Sequence, residues 1–224
     1  MYYTRAKSDK YRAVKVILPI LAVVTAVAVA ISALSGGSDD ISKSYDNNIN
    51  TSNFENPSVK NNVDLVKWCE MAYKNGWGYV YGTFGYVLEE QMIEEKTVQY
   101  PTNVGENEDF IRENWLGRRT VDCMGLIKSY MWYDAYSNSI TYDSGNMSDI
   151  GCDRLFEEAE IKGTIDTMPE IKGLAVWAEG HIGVYIGNGY AIEAQSTHDG
   201  VRKTRISKRN WTNWFQIPQI NYES

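Results

Sequence analysis

The chain has 224 residues, 43% hydrophobic, 23% charged and 12% aromatic, which suits one ordinary globular domain with appendages and excludes disordered, collagenous and disulfide-framework classes. Its net charge of -7 is unevenly placed: Arg5, Lys7, Lys10, Arg12 and Lys15 face only Asp9 at the N-terminus, so the acidic excess lies in the remainder. A nucleic-acid-binding domain draws affinity from neutralising phosphates and carries the opposite sign, so nucleic acid is excluded as a partner.

Residues 1–15 read as a cytoplasmic basic segment. Val16 to Leu34 follows with 19 residues and no charge, long enough to cross most of a hydrocarbon core as a helix. The basic cluster before it places everything after Leu34 outside the cell membrane, as a single-pass anchor. The competing reading is a cleaved signal peptide, for which Ala28-Val29-Ala30 supplies small residues and which would release the domain. With the first cysteine at Cys69, a lipoprotein anchor is disfavoured. Residues 35–62, rich in Asn and Ser, are expected to be a flexible linker, with a coil span of about 30 Å.

Residues 63–224 form the expected working domain. Leu65, Val66, Cys69, Met71, Ala72 and Tyr73 predict a helix over 63–74, stopped by Asn75-Gly76. A glycine-punctuated aromatic loop, GWGYVYGTFG, comes next, and residues 86–116 are expected to hold one or two short helices. Leu126, Ile127, Tyr130 and Met131 mark the buried stripe of a helix from Asp122 to about Tyr136, and another is expected over 153–161. After Pro169 the period becomes two. Strands are expected over 174–177, 181–186, 190–195, 201–206 and 213–217, with turns at Gly180, Asn188-Gly189 and Asp199-Gly200. Helices first and a meander afterwards predict an α+β domain.

Cys69, Cys123 and Cys152 cannot all pair, and no Cys/His spacing suits zinc; neither metal nor cofactor is expected. Cys123 opens the helix of VDCMGL, where unpaired N–H groups favour thiolate. Asp122 is placed to cap that helix, and Gly125 to leave the thiol uncrowded. Cys69 and Cys152 lie in helical patterns and are assigned to packing. His181 supplies a proton acceptor at the start of a strand. It shares a face with Gly183, Tyr185 and Gly187 while Ile182, Val184 and Ile186 face the core; His198 lies in a surface turn. Glu193, with Gln195 in reserve, is the candidate to orient the imidazole. A two-residue Asn188-Gly189 turn would point Glu193 away from His181. A three-residue Gly187-Asn188-Gly189 loop would put both on one face, and is the expected geometry.

These residues resemble the NlpC/P60 family of papain-like cysteine peptidases that cut bacterial cell-wall peptides. The GYVYG loop, VDCMGL, the hairpin GLAVWAEGHIGVYIGNGYAIEA and the tail RNWTNWFQIP match in order. The resemblance implies a papain-like domain in which Cys123 attacks an amide carbonyl, His181 accepts and returns the proton, and Glu193 orients the imidazole. It also implies that Tyr79, with Asp122 beside the nucleophile, meets the oxyanion or substrate. Stem peptides of peptidoglycan are the implied substrate, cut at the γ-D-glutamyl to diamino-acid bond. The chain departs from the family in carrying Met124 where Ser is usual, Glu193 where His is frequent, and a long 86–116 segment that reads as a groove wall, a lid or a mere surface elaboration. An N-acetylmuramoyl-L-alanine amidase with the same dyad and a catalytically silent wall-binding module are the alternatives. The run Arg202, Lys203, Arg205, Lys208 and Arg209 reads as a solvated hairpin edge.

Overall fold

The computed structural model describes residues 45–222. The basic segment, the apolar stretch over 16–34 and the first part of the expected linker lie outside the described residues. Among the described residues no helix is long and apolar enough to cross a membrane.

The N-terminal half runs α1 (Asn62–Lys74), β1 (Gly78–Tyr79), β2 (Phe84–Val87), α2 (Glu90–Gln99), α3 (Glu108–Trp115), β3 (Arg119–Val121), α4 (Cys123–Met131), β4 (Tyr133–Asp134) and β5 (Ser139–Ile140). It continues through α5 (Cys152–Glu158), β6 (Lys162–Thr164), β7 (Ala175–Ala178), β8 (His181–Gly187), β9 (Tyr190–Ser196), β10 (Gly200–Arg205) and β11 (Asn213–Phe215). Six strands form one antiparallel sheet in the order β10-β9-β8-β7-β11-β6. A smaller sheet, β1-β3-β2, pairs β1 parallel and β2 antiparallel with β3. Helices α1 and α4 pack on the large sheet through β8 and β9, giving the expected α+β arrangement.

Helix α1 begins at the Asn61 cap, whose side chain accepts from the Asp64 N–H at 2.7 Å, and buries Leu65, Trp68, Cys69 and Ala72 at helical spacing. It touches α4 through Trp68, whose Nε1 donates to Ser129 Oγ at 2.8 Å. Helix α4 ends at Met131, short of the expected Tyr136. Its last turn finds other partners: Lys60 Nζ donates to the carbonyls of Tyr130 (2.8 Å) and Tyr133 (2.7 Å), and the Trp132 carbonyl accepts from Thr141 N–H. Tyr133 then enters the β4–β5 ribbon.

Residues 45–61, expected within the linker, instead lie along the domain. Asn47 bonds the Gly117 carbonyl, Phe54 packs edge-on against Trp68 and Tyr130, and the Asp64 carboxylate receives the N–H groups of Glu55 and Asn56. A polar stretch is held here because its amides find fixed acceptors and its few apolar residues find the core, which composition does not record. Residues 86–116 form α2 and α3 around a satellite core of Val80, Leu88, Ile93, Val104, Ile111 and Trp115.

Candidate active site

Cys123 is the first residue of α4. Asp122 caps the helix, its Oδ1 accepting from Gly125 N–H at 2.6 Å, while its Oδ2 takes Gly82 N–H at 2.8 Å. Both oxygens are therefore occupied by backbone, and a carboxylate has no proton to offer an oxyanion. Asp122 thereby holds the loop before β2 and helix α4 together, and a donor role toward an oxyanion does not fit an ionised carboxylate. Burial pushes its carboxyl up despite these N–H bonds. Gly125 also differs from expectation, because its clearance serves the backbone and not the thiol. A Cβ there would sit 1.9 Å from the Thr83 carbonyl oxygen, so glycine lets the loop before β2 lie against the helix.

Tyr79 reaches the site through parallel pairing. It pairs with Val121 in β3, which is two residues before Cys123. Burial first, then the neighbouring Cys123 and Asp122 charges, push its hydroxyl far up, so it stays a neutral donor. Among the described residues that hydroxyl has no hydrogen-bond partner, which leaves it available to a substrate oxygen.

The candidate base, His181, opens β8 of the large sheet. His181 Nε2 is 2.7 Å from Glu193 Oε2, and the same carboxylate accepts from Thr204 Oγ1 (2.6 Å) and from Arg209 Nη2 (2.7 Å). Glu193 is fully buried. Burial alone would raise its carboxyl, but the bonds from His181, Thr204 and Arg209 bring it below the ordinary range. An ionised carboxylate only accepts, so Nε2 carries the proton and Nδ1 is left as the basic nitrogen. The imidazole also stacks on Trp211, the rings 9° from parallel with centroids 5.3 Å apart.

The hairpin register that brings His181 and Glu193 together arises differently from expectation. Val184 pairs with Ile192 and Tyr185 with Ala191, the register that shares the two faces as required, but the next pair is Gly187 with Tyr190. The turn is thus the two-residue Asn188-Gly189, both at positive φ (55° and 75°), and an irregularity between Tyr185 and Gly187 shifts the ladder by one. Gln195 is bonded to Asp199 within the β9–β10 turn and not to the imidazole.

Cys123 and Cys152 both line a groove of about 680 Å³, lined also by Met92, Glu95 and Tyr100 and by Trp132, Tyr142 and Asp149. The long 86–116 segment therefore contributes groove wall. No hydrogen bond joins Cys123 to His181 among the described residues. The Cys123 thiol instead has Cys152 as its partner, and this bond, then burial, then the Asp122 charge, hold it well above the ordinary thiol range despite the Met124 N–H. The expected bias of the helix N-terminus toward thiolate is outweighed in this resting arrangement. Cys152, expected only to pack, opens α5 beside Asp153. Oδ1 of Asp153 accepts from Trp177 Nε1 (3.0 Å) and from Gly180 N–H (2.8 Å), fixing the turn that leads into His181. Thr204 and Asp153 escape sequence reasoning, Trp211 enters it only within a tail motif, and Arg209, expected on a solvated hairpin edge, instead sets its guanidinium on the buried Glu193. Arg209 and Trp211 had a signal in the tail RNWTNWFQIP; the others depend on pairings that no local pattern encodes.

A family model for the NlpC/P60 family matches residues 105–219, the stretch from the groove wall to the strand after the basic run. The chain belongs to the NlpC/P60 family. No curated protein matches the sequence. Among solved structures, the chain is similar to the NlpC/P60 domain of the peptidoglycan hydrolase SagA at 15% identity and a TM-score of 0.29, covering 42% of this chain and 75% of that one. It is similar to NlpC2 from Trichomonas vaginalis at 15% identity and a TM-score of 0.38, covering 71% and 50%. With the peptidoglycan hydrolase RipB from Mycobacterium tuberculosis the figures are 14% and 0.36, covering 88% and 78%.

Proposed function

We propose that this NlpC/P60 protein is a cysteine peptidase that hydrolyses peptidoglycan stem peptides at the γ-D-glutamyl to diamino-acid bond, tethered to the outer face of the cell membrane by residues 16–34. The observation that carries the reading is the buried Glu193 holding a protonated Nε2 on His181 at 2.7 Å, on a sheet packed against the helix that Cys123 opens. A carboxylate of that kind fixes the tautomer and stabilises the imidazolium formed when a thiol gives up its proton.

In the proposed sequence, substrate enters the groove and the Cys123 side chain turns from Cys152 toward His181 Nδ1, a rotation between staggered rotamers. The imidazole takes the proton, the thiolate attacks the amide carbonyl, and the Tyr79 hydroxyl with the N-terminal N–H groups of α4 faces the developing oxyanion. The imidazolium then protonates the leaving amine, and water resolves the thioester by the same route in reverse order. Family membership and the open groove support peptide as substrate.

The test is mass spectrometry of purified muropeptides incubated with the full-length chain. Cleavage between D-glutamate and the diamino acid, absent in Cys123→Ala, is expected. Release of intact stem peptides from the sugar would identify an amidase. Equal wall binding by wild type and Cys123→Ala with no cleavage by either would identify a silent binding module. For the tether, fractionation is expected to leave the protein in membranes; recovery of a form starting near residue 31 from the medium would identify a cleaved signal peptide.

A further inference from the structure

Two thiols from separate elements meet in the groove, one of them the proposed nucleophile. Cys123 begins α4 and Cys152 begins α5, both are free, and both line the same open cavity. Cys152 lies beside Cys123 and raises its thiol, and Cys152 gives its own hydrogen to Asp153 Oδ1 at 3.6 Å. Asp153 is in turn fixed by Trp177 and by the turn before His181, so the second thiol is held in place and is not a loose packing residue. Cys69 is excluded from this chemistry by complete burial on the inner face of α1.

We propose that Cys123 and Cys152 form a reversible disulfide under peroxide, a modification site that switches the hydrolase off and shields its nucleophile from irreversible oxidation. The inference rests on the reading of Cys123 as nucleophile. In the first step His181 takes the Cys123 proton, as in the proposed hydrolysis, and the thiolate attacks one oxygen of hydrogen peroxide. An S–O bond forms, the O–O bond breaks, and the departing hydroxide takes up the thiol's proton as water. In the second step the Cys152 sulfur, its proton passing to Asp153 and on to solvent, attacks the Cys123 sulfenic sulfur. An S–S bond forms, the S–O bond breaks and a second water leaves. Two thiols and one peroxide thus give one disulfide and two waters, and a dithiol reductant reverses the result. A nucleophile without such a neighbour would proceed to sulfinic acid, which thiols do not repair.

The experiment treats the full-length chain with increasing hydrogen peroxide, blocks remaining thiols with iodoacetamide, and maps tryptic peptides by mass spectrometry alongside muropeptide hydrolysis. The expected result is a Cys123–Cys152 linked peptide that accumulates as hydrolysis falls and vanishes, with activity restored, on adding dithiothreitol. In Cys152→Ser, and in Cys152→Ala should the serine disturb α5, the same doses are expected to leave Cys123 as sulfinate with the recoverable activity lost. Absence of the linked peptide in wild type at doses that arrest hydrolysis, or equal sulfinate formation in wild type and both variants, overturns the inference. Failure of the nucleophile reading is visible separately, as hydrolysis that persists in untreated Cys123→Ala.

Discussion

The two halves of the site are built on opposite terms. On the sheet side, Glu193 is fully buried with His181, Thr204 and Arg209 on its oxygens, and Trp211 lies flat against the imidazole. On the helix side, the Asp122 carboxylate is met only by backbone N–H groups, and the thiol beside it leans on another thiol along an open groove. The two carboxylates record the contrast. The Arg209 guanidinium, the His181 N–H and a hydroxyl hold Glu193 low, whereas desolvation outweighs the two backbone N–H groups on Asp122 and leaves it raised. A base must keep one tautomer and one orientation, so rigidity serves it. The proposed nucleophile, which leaves Cys152 for His181 in the proposed reaction, needs a side that gives.

The most severe way to break the helix side is Cys123→Ala, expected to lower hydrolysis by at least about 10³-fold while thermal unfolding stays near wild type. Next is Gly125→Ala, which forces a Cβ onto the Thr83 carbonyl and is expected to destabilise the fold by about 3 kcal/mol in urea unfolding. Near-wild-type stability of that variant would show that the loop before β2 is free to retreat, against the close packing described.

Glu193→Gln tests the sheet side. It preserves shape but removes the charge that favours imidazolium, and turnover is expected to drop by about 10- to 100-fold. The same variant has a pH signature. Because the folded carboxyl titrates below its unfolded value of about 4.3, its contribution to stability is present above that pH and lost as pH falls through the folded value. The stability gap between wild type and Glu193→Gln is therefore expected to be wide at pH 7 and to narrow below pH 4. A gap that does not change with pH would contradict an ionised, multiply bonded Glu193.

The smallest effect expected is that of Lys60→Met, about 1–2 kcal/mol, from leaving the Tyr130 and Tyr133 carbonyls without their donor. Burial pushes the Lys60 ammonium down to about 8. The unfolded chain therefore binds the extra proton between about pH 8 and 10, and wild-type stability is expected to rise over that interval relative to the variant. No change in chemical denaturation would mean that the Lys60 bonds add nothing to the fold.

Much of this architecture is legible in the residues themselves. Helical spacing in Leu65, Cys69 and Ala72, and alternation from His181 to Ile186, reflect the 3.6 and 2.0 periods, so spacing marks α1, α4 and the meander, although β8 is buried on both faces. Cys123 at a helix start and His181 on a glycine-cleared face are legible for the same local reason. What the tertiary structure decided is who meets whom. The shift between Tyr185 and Gly187 set the face of Glu193 in spite of the two-residue turn. Arg209, Thr204 and Trp211 closed around His181 and Glu193 from the next strand and beyond, Lys60 capped a helix seventy residues away, and Cys152 came to rest against Cys123. A periodic pattern reports only that a residue faces inward. The identity of its partner depends on how whole elements pack, a property of the chain's long-range geometry that no window of neighbouring residues contains.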